Sequence, residues 1–160
     1  MEATEALRPG TPEEACEAVR WAADSGTALA IVGGASKRGL GPPARAAVTL
    51  QLDAIAGILT YEPEELVLTA LAGTPLAIIE TALAAHNQML AFEPPDWAAL
   101  LGAAGQPTLG GTVACNAAGP RRPRAGAARD HMLGVTAISG RGESFKAGGK
   151  VVKNVTGYYL

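Results

Sequence analysis

Two stretches of this 160-residue chain keep side chains small where backbone would have to meet a ligand. The first, Ile31-Val-Gly-Gly-Ala-Ser-Lys-Arg-Gly-Leu-Gly41, places Gly33, Gly34, Ala35 and Gly39 around Ser36, Lys37 and Arg38, directly after an apolar run. Backbone N–H groups of such a loop can turn inward on an anion, with Ser36 adding a hydroxyl and Lys37 or Arg38 adding charge. Gly34 and Gly39 have Walker A spacing, but Leu40-Gly41 stands where a Lys and a Ser or Thr are required, so an NTPase is disfavoured. No G-x-G-x-x-G spacing occurs in this loop, and Gly41-Pro42-Pro43 blocks the helix that a Rossmann fingerprint opens. A backbone nest without a metal remains, beside the plainer reading of a flexible turn carrying two solvated cations.

The second stretch is Thr108-Leu-Gly-Gly-Thr-Val-Ala-Cys-Asn-Ala-Ala-Gly119. Gly110 and Gly111 would let a planar or phosphate-bearing ligand touch backbone, and Thr112 and Asn116 supply polar edges. Close helix–sheet packing explains the same glycines.

The elements that must position these loops follow from caps and periodicity. Thr11-Pro12-Glu13-Glu14 combines an N-cap, a proline at the first helical position and a capping-box glutamate. Cys16, Val19 and Ala23 then share one face, and Gly26 stops the helix. Ala28–Val32 reads as a short apolar strand, and Val48–Leu52 alternates as another, so residues 1–53 form a small α/β lobe. A second unit, 54–160, opens with strands at Gly57–Tyr61 and Leu66–Leu71 joined across Glu62-Pro63-Glu64-Glu65. Thr74-Pro75 repeats the cap-plus-proline helix start, with Leu76, Ile79, Ala82 and Leu83 as its apolar stripe. Glu93-Pro94-Pro95-Asp96 is extended by proline restriction. The 108–119 stretch enters a short, tightly packed helix, and Leu133–Ser139 with Glu143–Ala147 forms a β-hairpin about Gly140-Arg-Gly142.

With 48% hydrophobic and 18% charged residues the chain is globular, not disordered. No apolar run reaches the ~18–20 residues of a membrane span, and the acidic N-terminus lacks the form of a secretory signal. Cys16 and Cys115 lack metal spacing and read as reduced, mostly buried thiols of a cytosolic protein. His86 and His131 have no ligand partners at metal spacing, so no metal is expected. Residues 1–119 carry 5 Lys/Arg against 13 Asp/Glu, whereas residues 120–160 carry 8 against 2. Arg121, Arg122, Arg124 and Arg129 concentrate that basic charge. Without interleaved aromatics they do not favour nucleic acid; a partner-docking patch and a solvated loop both fit.

The order TPEE helix, GGASKRG loop, TLGGTVACNAAG, RDHMLGV and VVKNVTGY resembles the FAD-binding domain of the vanillyl-alcohol-oxidase/PCMH flavoprotein superfamily, from about Pro9 to Leu160. Within it the chain is most similar to the FAD-binding subunits of bacterial glycolate oxidases. The resemblance implies an α+β fold of two α/β subdomains clasping FAD, the second incomplete at its C-terminus. It implies that Gly33, Gly34, Ala35, Ser36, Lys37 and Gly39 wrap the pyrophosphate. Thr108, Leu109, Gly110, Gly111, Asn116 and Gly119 would form the second FAD contact, with Pro94 on its approach. Some relatives attach flavin through a His in the first loop; Ala35 takes that place, which implies non-covalent FAD. The family's K-N-x-T-G-Y-D-L ending reads Lys153-Asn-Val-Thr-Gly-Tyr-Tyr-Leu160, a departure at its acidic residue. Catalytic residues of such oxidases lie largely in a cap domain and none is assigned. The implied function is the FAD-holding part of a 2-hydroxy-acid dehydrogenase, in a complex with a sister flavin subunit and an iron–sulfur subunit. That complex would be cytoplasmic and peripheral to the inner membrane, and this fragment alone would be inactive. The alternative is a non-catalytic scaffold subunit with FAD absent or structural.

Overall fold

The structure, a computed structural model, describes residues 5–42 and 45–149. The 153–160 ending lies outside the described residues.

The N-terminal sheet has three parallel strands: β1 (Glu5–Leu7), β2 (Leu29–Val32) and β3 (Val48–Gln51), in the order β1-β3-β2. β3 is central and carries the buried side chains Val48 and Leu50, whereas Ile31 on the edge strand β2 is 66% exposed. The β1 strand was not legible in the sequence, because a three-residue segment shows no period. Its position is secured just beyond the strand ends, where Arg8 donates two hydrogen bonds of 2.9 Å to the Asp53 carboxylate. That bidentate guanidinium holds the Asp53 carboxyl below the ordinary aspartate range.

Helix α1 (Pro12–Ser25) starts and stops where the sequence places it. Thr11 Oγ1 accepts from the Glu14 N–H at 3.1 Å, and Gly26 closes the helix at φ 65°. The Glu14 carboxylate reaches one residue further back than a capping box requires, to the Gly10 N–H at 2.6 Å. The expected apolar face is displaced by one position. Ala15 and Ala22 are buried with Ala18 and Val19 half-buried between them, and Ala23 faces solvent. An i, i+3, i+4, i+7 set made of alanines offers little contrast in hydropathy, which is why the phase was misread.

Strands β4 (Ile58–Glu62) and β5 (Val67–Ala70) pair antiparallel across a 3-10 turn at Pro63–Glu65. Their face packs on α2 (Leu76–Ala84), whose Leu76, Ile79 and Leu83 form the principal apolar cluster. Thr74 does not cap α2; Pro75 occupies the cap position and no side chain serves it. The Thr74 hydroxyl, 0% exposed, instead accepts from the Gly57 N–H at 2.9 Å and lies 2.6 Å from the Leu71 carbonyl, which closes the β4–β5 base. Short helices α3 (Ala98–Leu101), α4 (Leu109–Ala114) and α5 (Arg122–Ala125) follow, and the hairpin of β6 (Gly134–Ile138) and β7 (Ser144–Gly148) completes the described chain. Glu93 is not extended as its place before proline suggested, but sits at φ 43°. Of the cysteines, Cys16 is half-buried and Cys115 is exposed, so the expected burial fails for Cys115.

Gly142 in the β6–β7 turn lies against the Cys16 carbonyl and Arg20, and Arg20 Nη2 donates to the Gly142 carbonyl at 3.2 Å. The hairpin is thereby pinned to α1.

Candidate functional site

The loop after β2 runs directly into the segment that precedes α4. A Cβ on Gly33 would overlap Thr108 Oγ1, one on Gly34 would overlap the Gln106 carbonyl, and one on Gly105 would overlap the Gly34 carbonyl. Gly34 and Gly105 thus let two backbones touch, Gly33 leaves room for the Thr108 side chain, and these contacts bring the two glycine-rich stretches together. Gly105 and Gln106 were not read from the sequence; their signal was the Gly105-Gln-Pro-Thr108 run immediately before the second stretch.

Within the first loop, Ala35 takes the left-handed conformation at φ 59°, and Ser36, 4% exposed, turns into the protein. The Arg38 and Leu40 N–H groups close turns onto the Ala35 and Lys37 carbonyls at 3.4 and 3.0 Å. Among the described residues, the N–H groups of Gly34, Ala35, Ser36 and Lys37 find no acceptor. Residues 33–35 and 37 are half-buried and Ser36 is buried. Consecutive unpaired N–H groups about a left-handed residue form the concavity that backbone uses to hold anions. Lys37 extends its ammonium toward Gly111, where a Cβ would lie 4.0 Å from Nζ.

The second stretch behaves differently. Thr108 caps α4, its Oγ1 accepting from the Gly111 N–H at 3.4 Å. The Leu109 N–H donates to the Thr74 carbonyl at 2.9 Å and that of Gly110 to the Ala72 carbonyl at 2.7 Å. Gly110 lies against Ala72, and the Leu109 side chain packs on the α2 cluster. The N–H groups of 109–111 are therefore committed to the protein, and close packing accounts for Gly110. Gly39 is uncrowded, its nearest neighbour lying 3.7 Å from an added Cβ, whereas a Cβ on Gly111 would press on Thr108 Oγ1 at 3.2 Å. Thr112 is 1% exposed, and among the described residues its hydroxyl has no hydrogen-bond partner.

Asn116 and Gly119 act at the far end of α4. Asn116 sits at φ 46° just after the helix, a position suited to glycine or asparagine, and its Oδ1 accepts from the Arg129 N–H at 3.1 Å. Gly119 donates to the Phe92 carbonyl at 2.8 Å and leaves no space for a Cβ beside the Glu93 carbonyl. Pro94 follows in that loop and borders a separate shallow recess of about 370 Å³, with Glu80, Gln88, Met89 and Leu90. Among the described residues no group of three His, Cys, Asp or Glu side chains could hold a metal ion.

A loop with free N–H groups among the described residues, an ammonium beside it, a small parallel sheet and a glycine-rich helix start together make up an α+β domain. The FAD binding domain family matches residues 4–148, and the chain belongs to it. Its fold is that of the vanillyl-alcohol-oxidase/PCMH flavoproteins. The solved 6-hydroxy-D-nicotine oxidase of Arthrobacter nicotinovorans superposes with a TM-score of 0.69 at 15% identity, covering 92% of this chain and 31% of that one. Alkyldihydroxyacetonephosphate synthase does so at 0.64, with 20% identity over 82% of this chain and 26% of that one. In sequence, the chain is 46% identical over 144 residues to the glycolate oxidase subunit GlcE of Escherichia coli K12, covering 90% of this chain and 39% of the relative. It is 35% identical over 153 residues to the D-2-hydroxyglutarate dehydrogenase of Xanthomonas citri, covering 94% and 30%. The chain thus spans 39% and 30% of the lengths of these two sequence relatives. Among the described residues no helix is long and apolar enough to cross a membrane.

Proposed function

We propose that this chain is the FAD-holding part of a 2-hydroxy-acid dehydrogenase of glycolate-oxidase type. The observation that carries the proposal is the run of acceptor-free N–H groups at Gly34, Ala35, Ser36 and Lys37. The diphosphate of FAD suits this donor set, because its oxygens can accept several N–H bonds at once and its charge meets the Lys37 ammonium. Gly33, Gly34, Thr108, Gly110, Asn116 and Gly119 act here as the scaffold that lets the loops close. Gly39 remains open to close approach and Gly111 faces the Lys37 ammonium, while Leu109 anchors the helix start and Pro94 shapes the neighbouring loop. Residues 1–53 and 54–160 serve as the two subdomains between which the cofactor extends.

Bound FAD supplies the two-electron redox chemistry, and this chain's share is to bind and orient it. Ala35 offers no nucleophile where some relatives carry a histidine, so the attachment is non-covalent. The names of the relatives point to glycolate or another 2-hydroxy acid as the substrate and to assembly as one subunit of a complex. A sister flavin subunit and an iron–sulfur subunit complete that complex on the cytoplasmic side. The scaffold alternative draws no support from those relatives.

Purified full-length protein should show flavin absorption bands that bleach with glycolate, and acid precipitation should release the flavin into the supernatant. Lys37→Glu should lower flavin occupancy with the urea midpoint unchanged. A colourless protein that takes up no added FAD would overturn the reading.

A further inference from the structure

The arginine-rich segment after Gly119 is not the loosely solvated loop that its composition allows. Arg122–Ala125 is a helical turn closed by hydrogen bonds from the Ala125 N–H to the Arg121 carbonyl at 2.8 Å and from the Gly126 N–H to the Arg122 carbonyl at 2.9 Å. It is held from behind at several points. The Ala128 N–H donates to the Ala117 carbonyl at 3.1 Å, the Arg129 N–H to Asn116 Oδ1 at 3.1 Å, and His131 Nε2 lies 2.7 Å from the Ala125 carbonyl. Ala127 and Ala128 are buried at 2% each. Residues 121–124 are all exposed, so a fixed turn projects its arginines outward.

The fold itself uses little of this charge. Arg121 lies 3.4 Å from Glu93 and Arg129 lies 3.6 Å from Asp130, both in exposed pairs of small energetic weight. Among the described residues, Arg122 and Arg124 make no ion pair and no side-chain hydrogen bond. Beside the turn, Arg121 Nη1 lies 4.0 Å from Met89 Sδ, and Met89, 54% exposed, borders the recess of Leu90, Gln88 and Pro94. An arginine turn whose first residue, Arg121, borders a partly apolar recess with an exposed methionine is an interface composition, since Arg and Met are enriched where proteins meet. Glu80 and Glu93 also line the recess, so an occupant must keep its anionic groups over the arginine turn and an apolar side chain over Met89, which a nucleic acid, charged at every phosphate and without apolar side chains, does not offer.

We infer that the face running from the Met89 recess to the Arg122–Arg124 turn docks an acidic segment of a partner protein. An apolar side chain of that segment enters the recess beside Met89 and Pro94, and its carboxylates pair with Arg122 and Arg124, which offer planar bidentate donors. The inference does not depend on the flavin reading.

The test uses the full chain and fluorescence anisotropy with a labelled peptide of alternating glutamate and leucine. Binding is expected, weakened about tenfold by the double variant R122E/R124E and also by Met89→Glu. R141E/K146E makes the same change in net charge elsewhere and should leave binding intact. Circular dichroism of each variant verifies that α5 and the core persist. No binding, equal loss in both double variants, or tighter binding to a single-stranded oligonucleotide or to phosphatidylserine vesicles would overturn the inference.

Discussion

Gly34 lies against the carbonyl of Gln106 so closely that no side chain can stand between them. The two residues belong to different halves of the candidate site, and their contact fixes how the loop after β2 sits on the segment that starts α4. Gly34→Ala should therefore destabilise the chain by about 2–3 kcal/mol through overpacking and lower flavin occupancy with it. Gly39→Ala meets Leu101 only at ordinary contact distances, 3.7 Å and beyond, and should leave the urea midpoint within error. Comparing the two midpoints checks the claim, and equal behaviour of the variants would refute it.

Asn116 combines two contributions that substitution can separate. Its φ of 46° favours asparagine or glycine, and its Oδ1 holds the Arg129 N–H. Asn116→Gly keeps the backbone and loses the bond, at about 1 kcal/mol. Asn116→Ala loses both and should cost about 1 kcal/mol more. Denaturation midpoints ordered wild type, glycine, alanine are expected; an alanine variant as stable as the glycine variant would remove the conformational part.

The same residue shows what a sequence can and cannot convey. Asn116 was legible as a member of the glycine-rich stretch but not as a helix terminator, because its partner Arg129 is distant in sequence. Caps and stops such as Thr11 and Gly26 were legible because each is satisfied within one turn. Leu76, Ile79 and Leu83 were legible because large apolar side chains mark a helical face clearly. Thr74 and Ala23 were misread for opposite reasons: Thr74 had a tertiary use for its hydroxyl, and the alanines around Ala23 are too alike to define a phase. The glycines of both loops pointed to the site, but their sequence could not separate Gly111, which faces Lys37, from Gly110, which packs on Ala72.

The Arg8–Asp53 pair predicts a pH dependence. Hydrogen bonds and charge from Arg8 lower the Asp53 pKa in the folded protein. A group with a depressed folded pKa stabilises the fold above its unfolded value and loses that contribution as pH falls through the folded one. Stability should thus decline on the acid side of the ordinary aspartate range, and Asp53→Asn should flatten part of that decline. Arg8 is 61% exposed, which screens the pair and keeps the effect below about 1 kcal/mol. Urea midpoints of both proteins between neutral and strongly acidic pH measure it; parallel curves would exclude the pair as the source.

Thr112 gives the most discriminating substitution. Its hydroxyl is buried in α4 without a partner among the described residues, and an unsatisfied buried polar group costs about 1–3 kcal/mol. Valine has nearly the same shape and lacks that group, so Thr112→Val should raise the urea midpoint of the flavin-free protein. The neighbouring Thr108 Oγ1 and Gly111 keep their own cap bond, so the helix start should be undisturbed. If Thr112 only fills space, flavin affinity will be unchanged while stability rises. If its hydroxyl serves the bound cofactor, the variant will be more stable without FAD yet gain less stability on adding it. Titrating FAD into both proteins and following the midpoints separates these outcomes, and a lower midpoint without FAD would show that the hydroxyl is satisfied after all.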